Sequence, residues 1–164
     1  MKRAGVGTVR PRTPADDERI VALSRPSFGK YSTAPEQSVW SMLHHRGAVT
    51  VVAEAEGRLV GFAIVSFEAL GKPFGPWSRP VLAHLDAIAV HERAQGMGVG
   101  AALLAEAERV ARSHDAVSMN LRTAATNTRA QGLFRRAGFQ KSLQIEAFYR
   151  GGQSAFAMTK LLAK

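Results

Sequence analysis

Residues 84–112 read HLDAIAVHERAQGMGVGAALLAEAERVAR, and two periodicities meet inside them. The run VLAHLDAIAV, residues 81–90, is apolar on both faces, as a central strand is. From Gly98 to about His114 the spacing turns helical: Val99, Leu103, Ala107 and Val110 make one stripe, and Glu108 and Arg112 stand four apart as a favourable pair. Between strand and helix lie Gly96, Gly98 and Gly100. Glycines there let the backbone approach a ligand with no Cβ in the way, and the N–H groups of the following helix N-terminus make an anion cradle. A purely structural turn is the competing reading.

The pattern around this stretch predicts the order β-α-α-β-β-β-α-β-α-β-β. GTVRP is a short strand, and Pro14 with Asp16, Asp17 and Glu18 opens a helix carrying Ile20, Val21 and Leu23. SRPSFGKYST is a loop, and APEQSVWSMLHH a second helix that stops before Gly47. AVTVVAEA and RLVGFAIVSFE form a hairpin through Glu56-Gly57, followed by the Pro/Gly loop GKPFGPWSRP. After the glycine turn and its helix come the strand AVSMNLRT and a helix capped by Asn127 and stopped by Gly138. FQKSLQIEAFY and SAFAMTKLL meet at Gly151-Gly152. Trp40 and Met42 are assigned to the core, Trp77 to anchoring its loop, and His44-His45 to a helix C-terminus where the dipole favours them.

At 164 residues the chain reads as one domain, residues 1–164, able to bury a core without disulfides or a structural metal. It has no cysteine, hence no thiol nucleophile or thiolate metal site. No run is long and apolar enough to span a bilayer, and the first residues lack the apolar stretch of a signal peptide, so the expectation is a cytoplasmic protein with no membrane partner. The 22 basic and 13 acidic residues give a formal charge of +9. The basic residues, among them Arg122, Arg129, Arg135, Arg136 and Lys141, are scattered instead of blocked, and no RNA-binding aromatic pattern accompanies them. That charge suits a polyphosphate ligand better than specific nucleic acid.

GMGVGA satisfies the loose dinucleotide pattern through Gly96, Gly98 and Ala101. That pattern calls for an acid about 20 residues on, at the end of the next strand. Here the strand ends in Asn120, Arg122 and Thr123, and the turn follows the fourth strand of a meander instead of an opening βαβ unit. No Lys-Ser/Thr follows the glycines, so a Walker A loop fails as well. A nucleotide-binding oxidoreductase stays as an alternative reading, one that preferential binding of NAD(P)H would establish.

Gln95-Gly-Met-Gly98-Val-Gly100, followed by AALL, resembles the Gln/Arg-x-x-Gly-x-Gly/Ala signature of the Gcn5-related N-acetyltransferase (GNAT) superfamily. Asn127-Thr-Arg-Ala130-Gln-Gly-Leu133-Phe134-Arg-Arg-Ala-Gly138-Phe139 resembles that family's second motif, in order and at family spacing. The likeness covers about residues 48–161. It implies an α/β fold: a mixed sheet of about seven strands flanked by four helices. It also implies acetyl-CoA as co-substrate and no metal. Backbone groups of Gln95, Gly96, Met97, Gly98, Val99, Gly100 and Ala101 would hold the pyrophosphate, Asn127 and Phe134 would border the pantetheine arm, and Ile88 and Val90 would pair with its amides where strand 84–90 splays from VSMNLRT. The Ile88 N–H would face the thioester carbonyl as an oxyanion donor.

An amine acceptor is mostly protonated at neutral pH, so direct transfer needs a base, then an acid for the leaving thiolate. His84 and Asp86 share a strand face by period two: His84 is the candidate base, relaying a proton through water, and Asp86 would orient it or attract a cationic amine. His84 stands where histone acetyltransferases of the superfamily carry a glutamate, and HLDAIAVH also resembles the arylalkylamine acetyltransferases. A hydrogen-bonded structural His–Asp pair is the other reading. Phe134 replaces the tyrosine that often serves as the acid, which leaves Tyr149 as a candidate donor. FYRGGQSAFAMTKL resembles the last hairpin of protein N-terminal acetyltransferases, including the ribosomal-protein alanine enzymes, which makes Tyr149 a candidate for gripping the acceptor. Phe28 and Tyr31, between the first two helices, lie where the family often forms an acceptor wall, with ordinary packing as the other reading. The expectation is an N-acetyltransferase acting on a protein N-terminus or a small amine, and a homodimer is compatible with it. Its rival is a coenzyme A-binding sensor or scaffold with little or no turnover, motivated by Phe134.

Overall fold

The computed structural model describes residues 7–162; Met1–Val6, where the reading of a leaderless N-terminus begins, lie outside them. The chain runs through β1 (Thr8–Pro11), a 3-10 turn at Pro14–Asp16, α1 (Asp17–Phe28), α2 (Pro35–Leu43), β2 (Val49–Ala55), β3 (Arg58–Ala69) and β4 (Val81–Val90). It continues through α3 (Val99–Ser113), β5 (Ala116–Ala124), α4 (Thr128–Arg136), β6 (Gln140–Tyr149) and β7 (Gln153–Leu161). The predicted order holds throughout. Seven strands form one sheet in the order β1-β2-β3-β4-β5-β7-β6, so β4 is central, as its two apolar faces require. β1 to β4 pair antiparallel in succession, and β4 and β5 are the parallel pair.

Local chemistry accounts for the joints. Glu56 and Gly57 both have positive φ (51° and 73°), as a two-residue primed hairpin turn demands. Asn127 accepts the Ala130 N–H at 3.2 Å and caps α4, and Gly138 at φ 96° ends it. α1 extends further than predicted: Pro26 lies inside its last turn, where the missing N–H removes only one helical bond, and the Ser27 hydroxyl donates to the Leu23 carbonyl at 2.9 Å.

The sheet divides the core in two. Leu103, Leu104, Ala107, Met119, Phe134 and Met158 fill the layer under α3 and α4. Ile20, Val39, Val52, Phe62 and Ile64 fill the layer under α1 and α2. Trp40 departs from its core assignment: it is 51% exposed, because α2 buries Val39 and Leu43 and turns Trp40 outward onto the His44 ring, 4.2 Å between centroids. Met42 is partly buried. His44 sits at the α2 C-terminus, its Nδ1 2.9 Å from the Trp40 carbonyl. Trp77 stacks on Phe74 within its own loop.

β4 carries one irregularity that matters for function. Its register against β3 runs Ile64↔Ala87 and then Val65↔Leu85, which leaves Asp86 as an extra residue. Period two therefore breaks at Asp86. Ala83 and Leu85 before it, and Ile88 and Val90 after it, belong to the α3–α4 layer, while Ala87 and Ala89 turn to the α1–α2 layer.

Candidate active site

The parallel ladder between β4 and β5 reaches Leu85↔Leu121, and no pairing between them follows among the described residues. Beyond that point the two strands part, and the edge of β4 from Asp86 to Val90 loses its neighbour. A cleft of about 1010 Å³ fills the gap and reaches both layers of the fold. The splay expected from the sequence is present, with Ile88 and Val90 on the open segment.

On the α3–α4 side the cleft is walled by Gln95, Gly96, Gly98, Gly100 and Ala101. The three glycines have different physical reasons. Gly96 (φ 78°) and Gly98 (φ 83°) hold left-handed backbone, which admits glycine at little cost. Gly100 lies within α3, where a Cβ would come within 3.3 Å of Leu133 Cδ2, so its small size serves the approach of α4. Gly98 is the N-cap of the 15-residue helix α3. The unpaired N–H groups of that first turn favour an anion. Gln95 braces the turn by donating its Nε2 to the Val90 carbonyl at 3.1 Å.

Arg129 adds charge, with a guanidinium nitrogen 3.7 Å from where a Gly96 Cβ would stand. Sequence reading counted Arg129 only among scattered cations; the topology brings it to the turn. Arg122 and Arg136 border the same cleft. Lys160 also reaches it but is committed to the Glu108 carboxylate (2.9 and 3.0 Å) and the Ala137 carbonyl (2.6 Å). The expected Glu108–Arg112 pair is present at 3.5 Å but secondary to this one. Val99 is buried in the core and Met97 is exposed, and neither side chain lines the cleft. Asn127 and Phe134 line the cleft. Phe134 is 3% exposed and meets Phe139 edge-on, 5.9 Å between centroids, so its ring is a wall.

On the α1–α2 side, Asp86 lines the cleft. Although its side chain is exposed to the cleft, the protein packed around it withdraws part of its water and raises its carboxyl above the ordinary aspartate value, against the pull of the Ser66 hydroxyl and the His84 and His45 rings. His84 shares that side of the sheet but does not line the cleft. The His84–Asp86 hydrogen bond considered from the sequence is replaced: Nε2 of His84 lies 2.9 Å from Glu68 Oε2, a residue sequence reading missed. The signal was available in the β3–β4 register, which sets Ser66 opposite His84 and Glu68 opposite Leu82, but the long intervening loop hides that register.

Phe28, Tyr31 and Tyr149 all border this half, as expected. The Tyr31 and Tyr149 rings are 5.5 Å apart. Their elements are fastened by Arg150 N–H to the Tyr31 carbonyl at 3.3 Å and Gln153 Nε2 to the Lys30 carbonyl at 3.0 Å. β6 leaves register between Ile145 and Tyr149, with Ala147 at φ 49°, just before Tyr149 reaches the cleft. Burial raises the Tyr149 phenol above its ordinary value, and Tyr31 adds to this while Arg122 opposes it. Val39 and Met42 complete the wall. Among the described residues no cluster of three or more His, Cys, Asp or Glu forms a metal site, and no helix is long and apolar enough to cross a membrane.

Comparison with known proteins agrees with this geometry. The chain is 31% identical to mycothiol acetyltransferase of Acidothermus cellulolyticus over an alignment of 163 positions that covers 90% of this chain, and it spans about half (48%) of that relative. The ribosomal-protein-alanine N-acetyltransferase of Brucella melitensis superposes with a TM-score of 0.76 at 25% identity, covering 94% of this chain and 99% of the other. NAA60 of Arabidopsis thaliana, in complex with acetyl-CoA, superposes with a TM-score of 0.81 at 18% identity over 94% and 98% of the two chains, a likeness of fold. Residues 18–139 match the acetyltransferase (GNAT) family, and the parted β4–β5 pair with its glycine turn lies inside that match. The chain belongs to the GNAT acetyltransferase family.

Proposed function

We propose that this protein transfers an acetyl group from acetyl-CoA directly to a primary amine, with no covalent enzyme intermediate. The observation that carries the reading is the cleft through the parted sheet, with an anion cradle on one side and the Asp86 carboxylate on the other. The residues present fit the co-substrate: left-handed glycines at 96 and 98, the N-terminus of α3 and Arg129 suit a pyrophosphate, and the unladdered edge of β4 suits an amide-bearing arm. A relative named as a mycothiol acetyltransferase, a structure named as a ribosomal-protein-alanine N-acetyltransferase and a neighbour in fold that is in complex with acetyl-CoA support the same choice.

Acetyl-CoA, when bound, supplies an acetyl group activated as a thioester. Gln95 to Ala101 and Arg129 hold its phosphates, Ile88 and Val90 orient its arm, and Asn127 and Phe134 border it. Asp86 takes the proton from the attacking amine. Its raised affinity for a proton makes it a better base than an ordinary aspartate. His84, held by Glu68 on the same side of the sheet, passes that proton towards solvent. The Ile88 N–H stabilises the charge that develops on the carbonyl oxygen. Tyr149, a phenol of the cleft wall on the acceptor side, gives a proton to the departing sulfur, a role Phe134 lacks the hydroxyl to fill.

Release of free thiol from acetyl-CoA, measured against a panel of peptides and small amines, tests the reading. Acceptor-dependent release is expected, and Asp86→Asn lowers it by about 10²- to 10⁴-fold while coenzyme A binding is retained. Tight acetyl-CoA binding without acceptor-dependent release instead identifies a sensor.

A further inference from the structure

The two ends of the cleft differ in chemistry. The α3–α4 end gathers Arg129 and Arg136 around glycine backbone. The α1–α2 end is walled by Phe28, Tyr31, Pro35, Val39, Met42 and Tyr149, with the small hydroxyl side chains of Ser27, Ser32 and Ser38 between them. Asp86, on β4 and exposed to the cleft, is the acidic group in this half. Val39 is 1% exposed, and Phe28 and Met42 pack against the same core cluster, so this wall is a continuation of the hydrophobic core and not a loose surface. Phe28 is further fixed edge-on against Phe62, 6.4 Å between centroids.

We infer that the acceptor is a primary amine borne directly on an apolar group: the α-amine of a Leu, Met or Phe residue at a peptide N-terminus, or a free alkyl or arylalkyl amine. This rests on the transfer reading and sharpens it. The ammonium group is drawn to Asp86, while its apolar substituent lies against Phe28 and Met42, over the buried Val39. Each buried methylene there leaves water at a gain. An acceptor headed by aspartate would bring a second carboxylate towards Asp86. One headed by lysine would leave an extra charge among apolar side chains, where an unpaired charge is costly. Alanine or serine would leave the wall unfilled.

The test compares peptides that differ only in their first residue (Leu, Met, Phe, Ala, Ser, Asp, Lys) with free amines (isoamylamine, phenethylamine, ethanolamine, putrescine). kcat/KM comes from thiol release, and affinity for the coenzyme A-loaded protein from calorimetry. Apolar-headed acceptors are expected to lead by at least about 10-fold, and the peptide and free-amine arms show which source the site takes. A flat profile, or a lead by Ala, Ser, Asp or Lys, overturns the inference while leaving acetyl transfer standing. Selective binding of apolar-headed amines without turnover keeps the subsite and removes the transfer reading; no selectivity in either measurement removes the subsite. Met42→Glu should reverse the order, favouring Lys-headed peptides over Leu-headed ones, and Met42→Ala should shift it towards Phe. Both are read beside unchanged coenzyme A affinity, which reports that each variant is folded.

Discussion

Asp86 lies in the cleft because β4 has one residue more than β3 offers to pair between Ile64 and Val65. Period two from His84 puts Asp86 on the correct side of the sheet, but it cannot show that the strand bulges there, since a bulge is set by pairing with a strand far away in sequence. The raised carboxyl of Asp86 has a direct signature. A base works deprotonated, so kcat/KM rises with pH as it ionises; that limb should lie above the ordinary aspartate value of about 3.9 and disappear in Asp86→Asn. At the other end of the reaction, Tyr149→Phe should lower kcat by about 10²-fold with the KM for acetyl-CoA little changed. Phe134→Tyr in that background should restore part of the loss, and no recovery would place the proton source elsewhere.

At the scale of elements, the stretch from β4 through the glycines into α3 behaves as its sequence suggests. The helix stripe of Val99, Leu103, Ala107 and Val110 is buried, and the cap at Asn127 and stop at Gly138 fall in place. Gly98→Ala should cost about 1–2 kcal/mol of stability by urea denaturation, because φ 83° is left-handed backbone, and should weaken coenzyme A binding by disturbing the first turn of α3. The same change at Gly100 acts through Leu133. Local chemistry made these elements legible. What stayed hidden depended on distance along the chain: the Glu68 partner of His84, the Lys160 partner of Glu108, and the arrival of Arg129 beside Gly96. Trp40 was misplaced for a related reason. Its aromatic character suggests burial, but the face of α2 that packs is fixed by Val39 and Leu43.

Over the whole molecule, charge is gathered into functional and structural groups. Arg10 binds Asp16 and Glu54, and Arg12 binds Asp17, fastening β1 to the start of α1 and to β2. Asp17 also meets His44 at 3.2 Å, which ties in the end of α2. The Arg10 guanidinium lowers the Asp16 carboxyl well below the usual range, and Arg12 lowers Asp17. A carboxyl depressed in the folded state contributes stability above its unfolded value, near 3.9, and loses it as pH falls through the folded value. Stability should therefore drop as pH is lowered from about 5 towards 2, and a denaturant series with Asp16→Asn should show a shallower fall. At the sheet's outer edge β6 breaks register twice, and such irregularities discourage another strand from adding there.

The parting of β4 from β5 has one more consequence, for traffic. The cleft it makes is lined from both faces of the sheet. In a protein that works as proposed, nucleotide and amine arrive through separate doors and meet in the middle. Neither has to wait for the other to clear the way, and the acetylated product can leave by the door its amine used while spent coenzyme A still sits in the opposite one.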